Sequence, residues 1–464
     1  MRTQARSRRD RRPGLELLEP RLVLSTIFVD PTGNDANRGT SSAPLLSLQK
    51  ASKVAMPGDT VDVRAGNYVG FVMGWDAPQG GKPVAPITFH AEPDAVITSR
   101  NNKTPDGIDL EGASYVTIEG FKVVNMNRAG IRSNNGTNVV IRNNVCDSNA
   151  RWGIMTSHDE NVLIEGNTTS NSKIEHGIYV SNSADSPTIR DNIVFSNAGN
   201  GIHINGDASQ GGDGIISDAL IEGNIIYNNG VRGGSAINLD GLQDSVIRNN
   251  LIYNNHASGI SLYRIDGGGP STNNLIENNT IVMAADSKFP LNIQNGSTGN
   301  VAFNNILLAT NSRRLASVSI STDSLPGFMS DNNALMSKQT TDGYTLMSLA
   351  AWQSQTGQDA HSFATTPAAI GFVNPTAADY HLSSTSPAVD AGTVALPPAK
   401  AGSRSRVALH PIAKTDLDGS PRVWGRSIDI GAYEFHPTHP SSGTATGKTG
   451  ASPSPSVSAD RRVV

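Results

Sequence analysis

The chain has one cysteine, few aromatic residues, little charge and no long apolar segment. Its single cysteine, Cys146, excludes an intramolecular disulfide and leaves the redox compartment open. No apolar run approaches the roughly 18 residues that cross a bilayer, so the sequence predicts no transmembrane segment. After the arginine-rich first twelve residues, the chain has 31 basic and 40 acidic residues. This acidic balance lacks the excess of basic charge that is typical of nucleic-acid-binding proteins. With 46 glycines and only 5% aromatic residues, the composition suits stacked strands and turns better than a helical domain.

A phrase that ends in asparagine recurs along the middle of the chain. It runs from isoleucine to asparagine at Ile141–Asn144, Ile164–Asn167, Ile189–Asn192, Ile221–Asn224, Ile247–Asn250 and Ile276–Asn279. The closing asparagine returns at Asn305 and Asn333, and successive copies lie 23 to 32 residues apart. A period in this range is typical of a solenoid, in which each turn of the chain lies next to the preceding one.

Short runs with alternating apolar and polar residues fill each repeat, as in Ile178–Val180, Ile202–Ile204 and Ile237–Leu239. Period-two alternation predicts strands, and the Asn, Gly, Ser and Asp clusters between the runs predict turns. Three short strands with their turns account for one repeat, so the sequence predicts an all-β solenoid of the parallel β-helix type. We expect the repeated asparagines to stack at one corner, about 4.8 Å apart, and to hydrogen-bond with one another.

The start of the repeat region resembles the opening of a known family. Leu45 to Val54 has helical spacing, and an amphipathic helix there would cover the open end of the stack. The stretch from Ile27 to Tyr68 closely resembles the opening of bacterial right-handed β-helix proteins, among them polysaccharide lyases of the family-nine type. This resemblance to the pectate-lyase-like superfamily implies a right-handed parallel β-helix over residues 27–335, with an N-terminal capping helix.

The first residues differ in character from the repeat region. Residues 1–26 form a basic leader that we expect to be disordered. Within it, Leu15 to Ser25 resembles the LEPR-x-L-L segment at the start of large exported proteins of planctomycete-type bacteria. The resemblance implies a secreted or cell-surface bacterial protein.

The last third of the chain loses the repeat. Residues 336–435 resemble the closing module called choice-of-anchor Q, which follows β-helices in exported bacterial proteins. The phrases that carry this likeness are Ala378–Leu382, Ser386–Gly392, Asp416–Pro421 and Asp429–Phe435. Residues 436–464 are rich in Pro, Ser, Thr and Gly, which predicts a disordered tail.

The alternation also predicts which side chains point away from the interior. Ile202 and Ile204 face the core, so His203 and Asn205 face outward. The same phase in every repeat gives two outward rows whose neighbours lie about 5 Å apart. The first row contains Asp109, Arg132, Met155, Tyr179, His203, Asn238 and Ser261, and the second contains Glu111, Asn134, Ser157, Ser181, Asn205, Asp240 and Tyr263.

The middle of these rows lies beside two enlarged loops. One is the glycine-rich stretch Asn205–Gly214, within the longest repeat, and the other is Asp266–Pro270. Insertions on one side of a solenoid commonly wall a binding site, so we expect the functional site here. The candidate catalytic residues are His203, Arg264, Tyr179, Lys173 and Asp240, and the candidate substrate-binding residues are Trp152, His176, Asn205, Asn238 and Tyr263.

A long polar face with tyrosine and tryptophan rings suits an extended polysaccharide. In β-elimination from a uronate, a base removes the proton beside the carboxylate while a cation or hydrogen bonds stabilise the developing charge. The candidates for base or acid are Lys173, Arg264, His203 and Tyr179. Asp207 and Asp213 are candidate Ca²⁺ ligands, because calcium favours several oxygen donors. The leading prediction is a monomeric exported polysaccharide lyase.

Two other classes of protein fit the same sequence. One is a non-catalytic surface β-helix that binds glycans or has a structural role. The other is a β-helix glycoside hydrolase, which needs two carboxylates at a set separation. Asp207, Asp213 and Asp240 are the candidates for that pair.

Overall fold

The computed structural model describes residues 25–75, 79–313, 316–395 and 411–437. Three parallel sheets of twelve strands each extend along the molecule, and successive turns of the chain add one strand to each sheet. This is the parallel β-helix that the repeat predicts. The LEPR-like stretch before Ser25 and the tail after residue 437 lie outside the described residues. No helix in the described part of the chain is long and apolar enough to cross a membrane.

Sheet 1 carries alternating charges on its outward surface. Its strands are Thr26–Val29, Thr60–Val63, Ile87–Ala91, Val116–Glu119, Val140–Arg142, Leu163–Glu165, Thr188–Arg190, Leu220–Glu222, Val246–Arg248, Leu275–Glu277, Val301–Phe303 and Met329–Asp331. One outward row reads Asp62, His90, Glu119, Arg142, Glu165, Arg190, Glu222, Arg248 and Glu277. Neighbours in this row form ion pairs, such as Arg190–Glu165 at 2.6 Å and Arg248–Glu222 at 2.9 Å. We call this row the charge ladder.

Sheet 2 carries a stack of aromatic rings. Its strands are Gly66–Val69, Ala95–Ser99, Lys122–Val124, Val145–Asp147, Thr168–Ser170, Ile193–Phe195, Ile225–Tyr227, Leu251–Tyr253, Thr280–Val282, Ile306–Leu308, Ala334–Leu335 and Phe363–Ala364. Phe195, Tyr227 and Tyr253 stack with ring centroids 4.9 Å apart. Tyr380, from the C-terminal part of the chain, packs on Tyr253 in a tilted arrangement, with ring centroids 5.1 Å apart. The C-terminal part therefore packs against sheet 2.

Sheet 3 carries the two outward rows that the sequence predicts. Its strands are Phe71–Met73, Ile108–Glu111, Ala129–Asn134, Trp152–Ser157, Ile178–Asn182, Ile202–Gly206, Ser235–Asp240, Ser258–Tyr263, Leu291–Ile293, Ala316–Ile320, Lys338–Thr340 and Met347–Ser348. The last of these strands pairs antiparallel with its neighbour, and the others pair in parallel. We call the outward surface of sheet 3 from Asp109 to Tyr263 the candidate face.

The residue before each ladder asparagine explains the ending of the repeat. Asn143, Gly166, Asp191 and Gly223 all have left-handed backbones, with φ between 56° and 66°. Glycine, asparagine and aspartate adopt this conformation at the lowest steric cost. The repeat therefore closes as Asn-Asn, Gly-Asn or Asp-Asn, and the closing asparagine turns into the interior.

The asparagine ladder is confirmed. Asn144 donates from Nδ2 to Oδ1 of Asn167 at 3.0 Å, and its backbone N–H donates to the same oxygen at 2.9 Å. The same pattern continues through Asn192, Asn224, Asn250, Asn279, Asn305 and Asn333. Two further stacks, which the sequence analysis did not identify, join Asn197, Asn229 and Asn255, and Asn274 with Asn300.

The N-terminal helix spans Leu48–Val54 and begins three residues later than the predicted start at Leu45. The reason is local: Ser47 caps the helix by accepting from the Lys50 N–H, while Leu45 pairs with Val29 as extended chain. The Gln49 amide then donates to the Val72 carbonyl at 2.9 Å and accepts from the Val72 N–H at 3.0 Å. The Gln49 side chain thus supplies hydrogen-bond partners for both backbone groups of Val72, on the first strand of sheet 3.

A second helix, Leu349–Thr356, lies at the other end. Its Trp352 is fully buried in the interior, and the indole N–H donates to Asp359 at 2.8 Å. Asp359 also accepts from Asn333, the last asparagine of the ladder. The short elements that complete the described chain are the strand pairs Ile216–Ser217 with Leu242–Gln243 and Phe372–Asn374 with Asp379–Leu382, and the 3₁₀ turns Ala208–Gln210 and Pro375–Ala377.

A buried ion cluster attaches the end of the described chain to the β-helix. Arg422 is 1% exposed and lies 3.7 Å from Glu434, while its other terminal nitrogen donates to Asn249 at 2.5 Å. Asn249 lies at the turn that follows sheet 1. The C-terminal part therefore packs at the edge between sheets 1 and 2.

Candidate active site

The predicted register of the candidate face is confirmed. In the first row Met155 pairs with Tyr179, Tyr179 with His203, and His203 with Asn238. In the second row Ser181 pairs with Asn205, Asn205 with Asp240, and Asp240 with Tyr263. Interior residues such as Ile202 and Ile204 are fully buried between them. The phase of the alternation thus places Tyr179, His203 and Asp240 on adjacent parallel strands, pointing outward.

Aromatic rings pack along the first row and beside it. The ring centroid of Trp152 lies 5.6 Å from that of Tyr179, which lies 5.1 Å from the ring of His203. The ring of His176 meets Tyr179 and His203 edge-on, at 5.4 and 4.6 Å. Arg151 covers Trp152 at 5.2 Å and forms an ion pair with Glu175 at 2.9 Å. We call Trp152, His176, Tyr179 and His203 the aromatic cluster.

The two histidines of the cluster are hydrogen-bonded to each other. Nε2 of His176 lies 3.0 Å from Nδ1 of His203. Burial, assisted by the charge of Arg151, lowers the pKa of His176 to about 3, and burial also lowers the pKa of His203 well below its usual value. Both rings are therefore neutral near pH 7, when each carries a single N–H.

Two asparagines orient the tyrosines of the candidate face. Asn205 donates from Nδ2 to the hydroxyl oxygen of Tyr179 at 3.3 Å, and Asn238 donates in the same way to Tyr263 at 2.7 Å. Burial raises the pKa of both phenols, so each keeps its O–H at neutral pH. Because each oxygen accepts from an amide, its proton is directed elsewhere and is available to a ligand.

Asp240 and Arg264 are engaged by the second enlarged loop. The buried carboxylate of Asp240 accepts from the backbone N–H groups of Ile265, Asp266 and Gly267 at 2.8 to 3.2 Å. Burial raises the pKa of Asp240 in spite of these three donors. Arg264 is exposed and donates from Nε to the Gly267 carbonyl at 3.2 Å. The geometry gives Asp240 a role in positioning this loop and leaves much of the Arg264 guanidinium accessible.

The remaining predicted residues lie in loops. Asp207 accepts from the backbone and side chain of Ser209, at 2.9 and 2.6 Å, and Asp213 accepts from the Ile215 N–H at 3.0 Å. Lys173 is exposed in the turn before His176. Within the described ranges, no three His, Cys, Asp or Glu side chains converge as a metal site.

An ion cluster at the N-terminal end of the candidate face was not predicted as a site. Arg132 contacts both Asp109, at 2.9 Å, and Glu111, while Arg128 pairs with Asp106. Asp109 is fully buried, and burial raises its pKa. Asp109, Glu111 and Arg132 stand in the predicted rows, so the row assignment alone could have located the cluster. Asp106 and Arg128 precede their strands, where the alternation gives no signal.

The chain resembles proteins of known structure and one family model. A family model described as the Pel9A-like, right-handed β-helix region matches residues 27–280. The crystal structure of pectate lyase Pel9A aligns at 16% identity over 89% of this chain and 96% of that one, with a TM-score of 0.57. A rhamnogalacturonan lyase aligns at 16% identity over 65% and 83% of the two chains, with a TM-score of 0.44. A glycoside hydrolase aligns at 9% identity over 69% and 95%, with a TM-score of 0.47. No curated protein sequence matches the chain.

Proposed function

The chain belongs to the Pel9A-like right-handed β-helix family, and on that premise we propose that it acts on an extended polysaccharide bound along the candidate face. The observation that carries the proposal is the aromatic cluster, which continues into the Asn238–Tyr263 pair on adjacent strands. Rings and amides repeating at the strand spacing match a ligand that itself repeats along one direction. Ring faces pack on sugars, while hydroxyl and amide groups bond to their oxygens.

The reaction we propose is β-elimination from a uronate. A base takes the proton beside the carboxylate, the neighbouring carbon–oxygen bond breaks, a carbon–carbon double bond forms, and the departing oxygen receives a proton. In this proposal Arg264 neutralises the substrate carboxylate; the support is that its guanidinium is exposed beside Tyr263. The hydroxyls of Tyr179 and Tyr263 are the donors nearest to the proposed sugar path. Because burial raises the pKa of Tyr179 and the phenol keeps its proton, Lys173 remains the candidate for the base.

Non-catalytic glycan binding is the second candidate function. The observation that favours it is that the carboxylate of Asp240 is taken up by three loop N–H groups and the two histidines are neutral and bonded to each other. Such side chains would need rearrangement to move protons. Calcium at Asp207 and Asp213 is part of the catalytic proposal, because both residues belong to the enlarged loop that begins at Asn205.

A polysaccharide panel separates these functions. The full chain is incubated with acidic and neutral polysaccharides, with and without Ca²⁺, and the absorbance of an unsaturated uronate is followed. A rise in that absorbance supports elimination, and new reducing ends without it indicate hydrolysis. Binding without products supports the second candidate, and the absence of both binding and products would refute the proposal.

Variants then locate the site. We expect His203→Ala and Arg264→Ala to abolish turnover with the fold intact, because outward residues on a solenoid contact only near neighbours. Lys122→Ala, an exposed position on sheet 2, is the matched control and should keep wild-type turnover. Asp213→Ala should weaken any calcium dependence. Wild-type rates in the His203, Arg264 and Asp213 variants would move the site to the ion cluster at Arg132.

We also propose that the protein acts outside the cell as a monomer. The support for export is the LEPR-like segment of the leader, which resembles the start of exported proteins. Fractionation of cells that express the full chain with and without residues 1–26 tests the first part, and light scattering of the purified protein tests the second. Retention of the full chain inside the cell would contradict the export proposal.

A further inference from the structure

A chain of hydrogen bonds sets the position of the proton on His176. The Ser235 backbone N–H donates to Oδ1 of Asn200 at 2.5 Å, which fixes which end of the Asn200 amide is oxygen. Nδ2 of Asn200 then lies 3.3 Å from Nδ1 of His176, and the Asn200 backbone N–H donates to the same nitrogen at 3.1 Å. Two donors on one nitrogen require a lone pair there. His176 therefore carries its proton on Nε2.

The same argument fixes the tautomer of His203. Because His176 has its proton on Nε2, that N–H is the donor in the 3.0 Å contact with Nδ1 of His203. Nδ1 of His203 is then an acceptor, and the neutral ring of His203 carries its proton on Nε2. A backbone amide in one turn of the solenoid thus determines the tautomer of a side chain in the next turn.

The proton that results has no acceptor within the described part of the protein. Nε2 of His203 is enclosed and makes no hydrogen bond, although the residue as a whole is partly exposed on the candidate face. An enclosed N–H without an acceptor costs free energy that a bound oxygen recovers. Of the charged groups nearby, Glu175 lies 4.0 Å from Nε2 of His176, which is too long for a hydrogen bond, and is itself paired with Arg151.

We propose that His176 is a positioning residue that fixes His203 as a neutral Nε2–H donor, and that an acceptor oxygen of the glycan takes this hydrogen bond when the groups that enclose Nε2 move aside on binding. The identity of the ligand rests on the proposed function, whereas the tautomers do not depend on it. The consequence for mechanism is specific: His203 donates to the substrate and is not the base that removes a proton.

Nitrogen NMR of the full chain, labelled with ¹⁵N only in histidine, tests the tautomers without any ligand. Variants His176→Gln and His203→Gln assign the two rings among the ten histidines of the chain. We expect both rings to show the neutral Nε2–H pattern from about pH 6 to about pH 8. A charged ring or an Nδ1–H pattern at either residue would overturn the inference and leave the proposed function untouched.

Two substitutions at His176 separate positioning from packing. His176→Gln keeps an amide N–H close to the place of Nε2, so His203 should retain its Nε2–H pattern. His176→Phe keeps an aromatic edge but offers no donor, so His203 should become a mixture of tautomers. Equal patterns in the two variants would show that His176 only packs against His203.

Ligand titrations complete the test, with oligogalacturonate as an acidic probe and xylo-oligosaccharide as a neutral one. We expect the Nε2–H resonance of His203 to shift with the probe that binds, and the dissociation constant to rise about tenfold in His203→Phe, as for one lost hydrogen bond. His90, on sheet 1, is the internal control and should not shift. Binding that leaves His203 unchanged would refute the inference alone. An absence of binding by both probes, and by the whole polysaccharide panel, would refute the proposed function together with the ligand assigned to His203.

Discussion

At the residue scale, a ladder asparagine joins three turns of the chain by hydrogen bonds. Asn224 donates to the Ile189 carbonyl and to Oδ1 of Asn250, and its own Oδ1 accepts from the backbone and side chain of Asn192. Each contact is 2.9 to 3.0 Å long and fully buried. A buried amide with all its partners supplied is stable, whereas partners left behind by its removal are costly.

We therefore expect Asn224→Leu to destabilise the protein by about 1–3 kcal/mol, the cost of buried polar groups left without partners. Leucine has nearly the same size, so the loss reports hydrogen bonds and not a cavity. Asn67→Leu, at an exposed strand position, is the matched control and should change the free energy of unfolding little. Urea unfolding measures both, and an equal midpoint for wild type and Asn224→Leu would contradict the ladder's energetic role.

The ladder and the outward rows were predictable because they repeat in phase with the isoleucines. The second stack, at Asn197, Asn229 and Asn255, has fewer copies than the ladder, because Ser172 occupies the position before Asn197; the repeated Tyr-Asn-Asn at Tyr227 and Tyr253 is the signal that could have found it. The contact between His176 and His203 was beyond prediction in detail. His176 precedes its strand, and alternation says nothing of side-chain direction outside strands.

At the scale of elements, the outward surfaces of the sheets differ, and that of sheet 1 carries a row of paired opposite charges. The charge ladder of sheet 1 follows from the alternation of Arg and Glu after successive isoleucines, which the sequence displays as Ile-Arg and Ile-Glu. From Glu119 to Glu277, opposite charges face each other across each strand pair of this row, and cross-strand pairs of this kind contribute a few tenths of a kcal/mol to about 1 kcal/mol each. If a strand paired with the next strand but one, like charges would face each other. The charge ladder therefore disfavours that pairing.

Reversing one charge tests the ladder. Arg190→Glu places three carboxylates in succession with Glu165 and Glu222, and we expect it to destabilise by about 1–2 kcal/mol more than Arg190→Gln, the matched neutral variant. The extra loss should shrink near 1 M salt, because ions screen these partly exposed charges. Urea unfolding at low and high salt measures both effects. A difference between the two variants that is independent of salt would mean that packing, and not charge, is responsible.

The second helix, Leu349–Thr356, covers the C-terminal end of the solenoid. Trp352 fills the interior beyond the last full turn and holds Asp359, so Trp352→Ala should cost about 3–5 kcal/mol. Trp352→Phe keeps most of the packing and should cost less. Because turns contact only their neighbours, we expect faster hydrogen exchange in Lys338–Thr340 and unchanged exchange in Ile202–Gly206. Uniformly faster exchange in both strands would instead indicate a single cooperative unit.

At the scale of the whole molecule, the three faces of the β-helix have separate tasks. The outward surface of sheet 1 carries the charge ladder. Sheet 2 is covered in part by the C-terminal part of the chain, through Tyr380 and its neighbours. Sheet 3 combines the aromatic cluster with the two enlarged loops, and this division locates the candidate site on it. The sequence predicted the outward rows of sheet 3 but not the covering of sheet 2, because the C-terminal contacts join residues more than a hundred positions apart.

The attachment of the C-terminal segment makes the stability of the molecule depend on pH. His381 lies between Asp418, at 2.7 Å from Nε2, and Asp379, at 2.6 Å from Nδ1. Burial lowers the pKa of His381, but the hydrogen bonds to the two carboxylates outweigh it and raise the pKa to about 9. The folded chain therefore binds this proton more tightly than the unfolded chain does. The stabilisation is complete below the unfolded value near 6.5 and is lost as the pH rises through about 9.

His381→Gln should therefore lower the urea midpoint near pH 6 and have little effect near pH 10, where the wild-type ring has lost its charge. The ring is 37% exposed, so water screens the pairs and the effect is smaller than in a fully buried site. His256→Gln, which removes a histidine paired with the single carboxylate of Asp286, is the control. Asp418 lies within residues 411–437, so the same protonation should also slow proteolysis of this stretch. A wild-type advantage that persists unchanged near pH 10 would show that His381 stabilises the attachment by packing on Tyr433, 4.0 Å between ring centroids, and not by its charge.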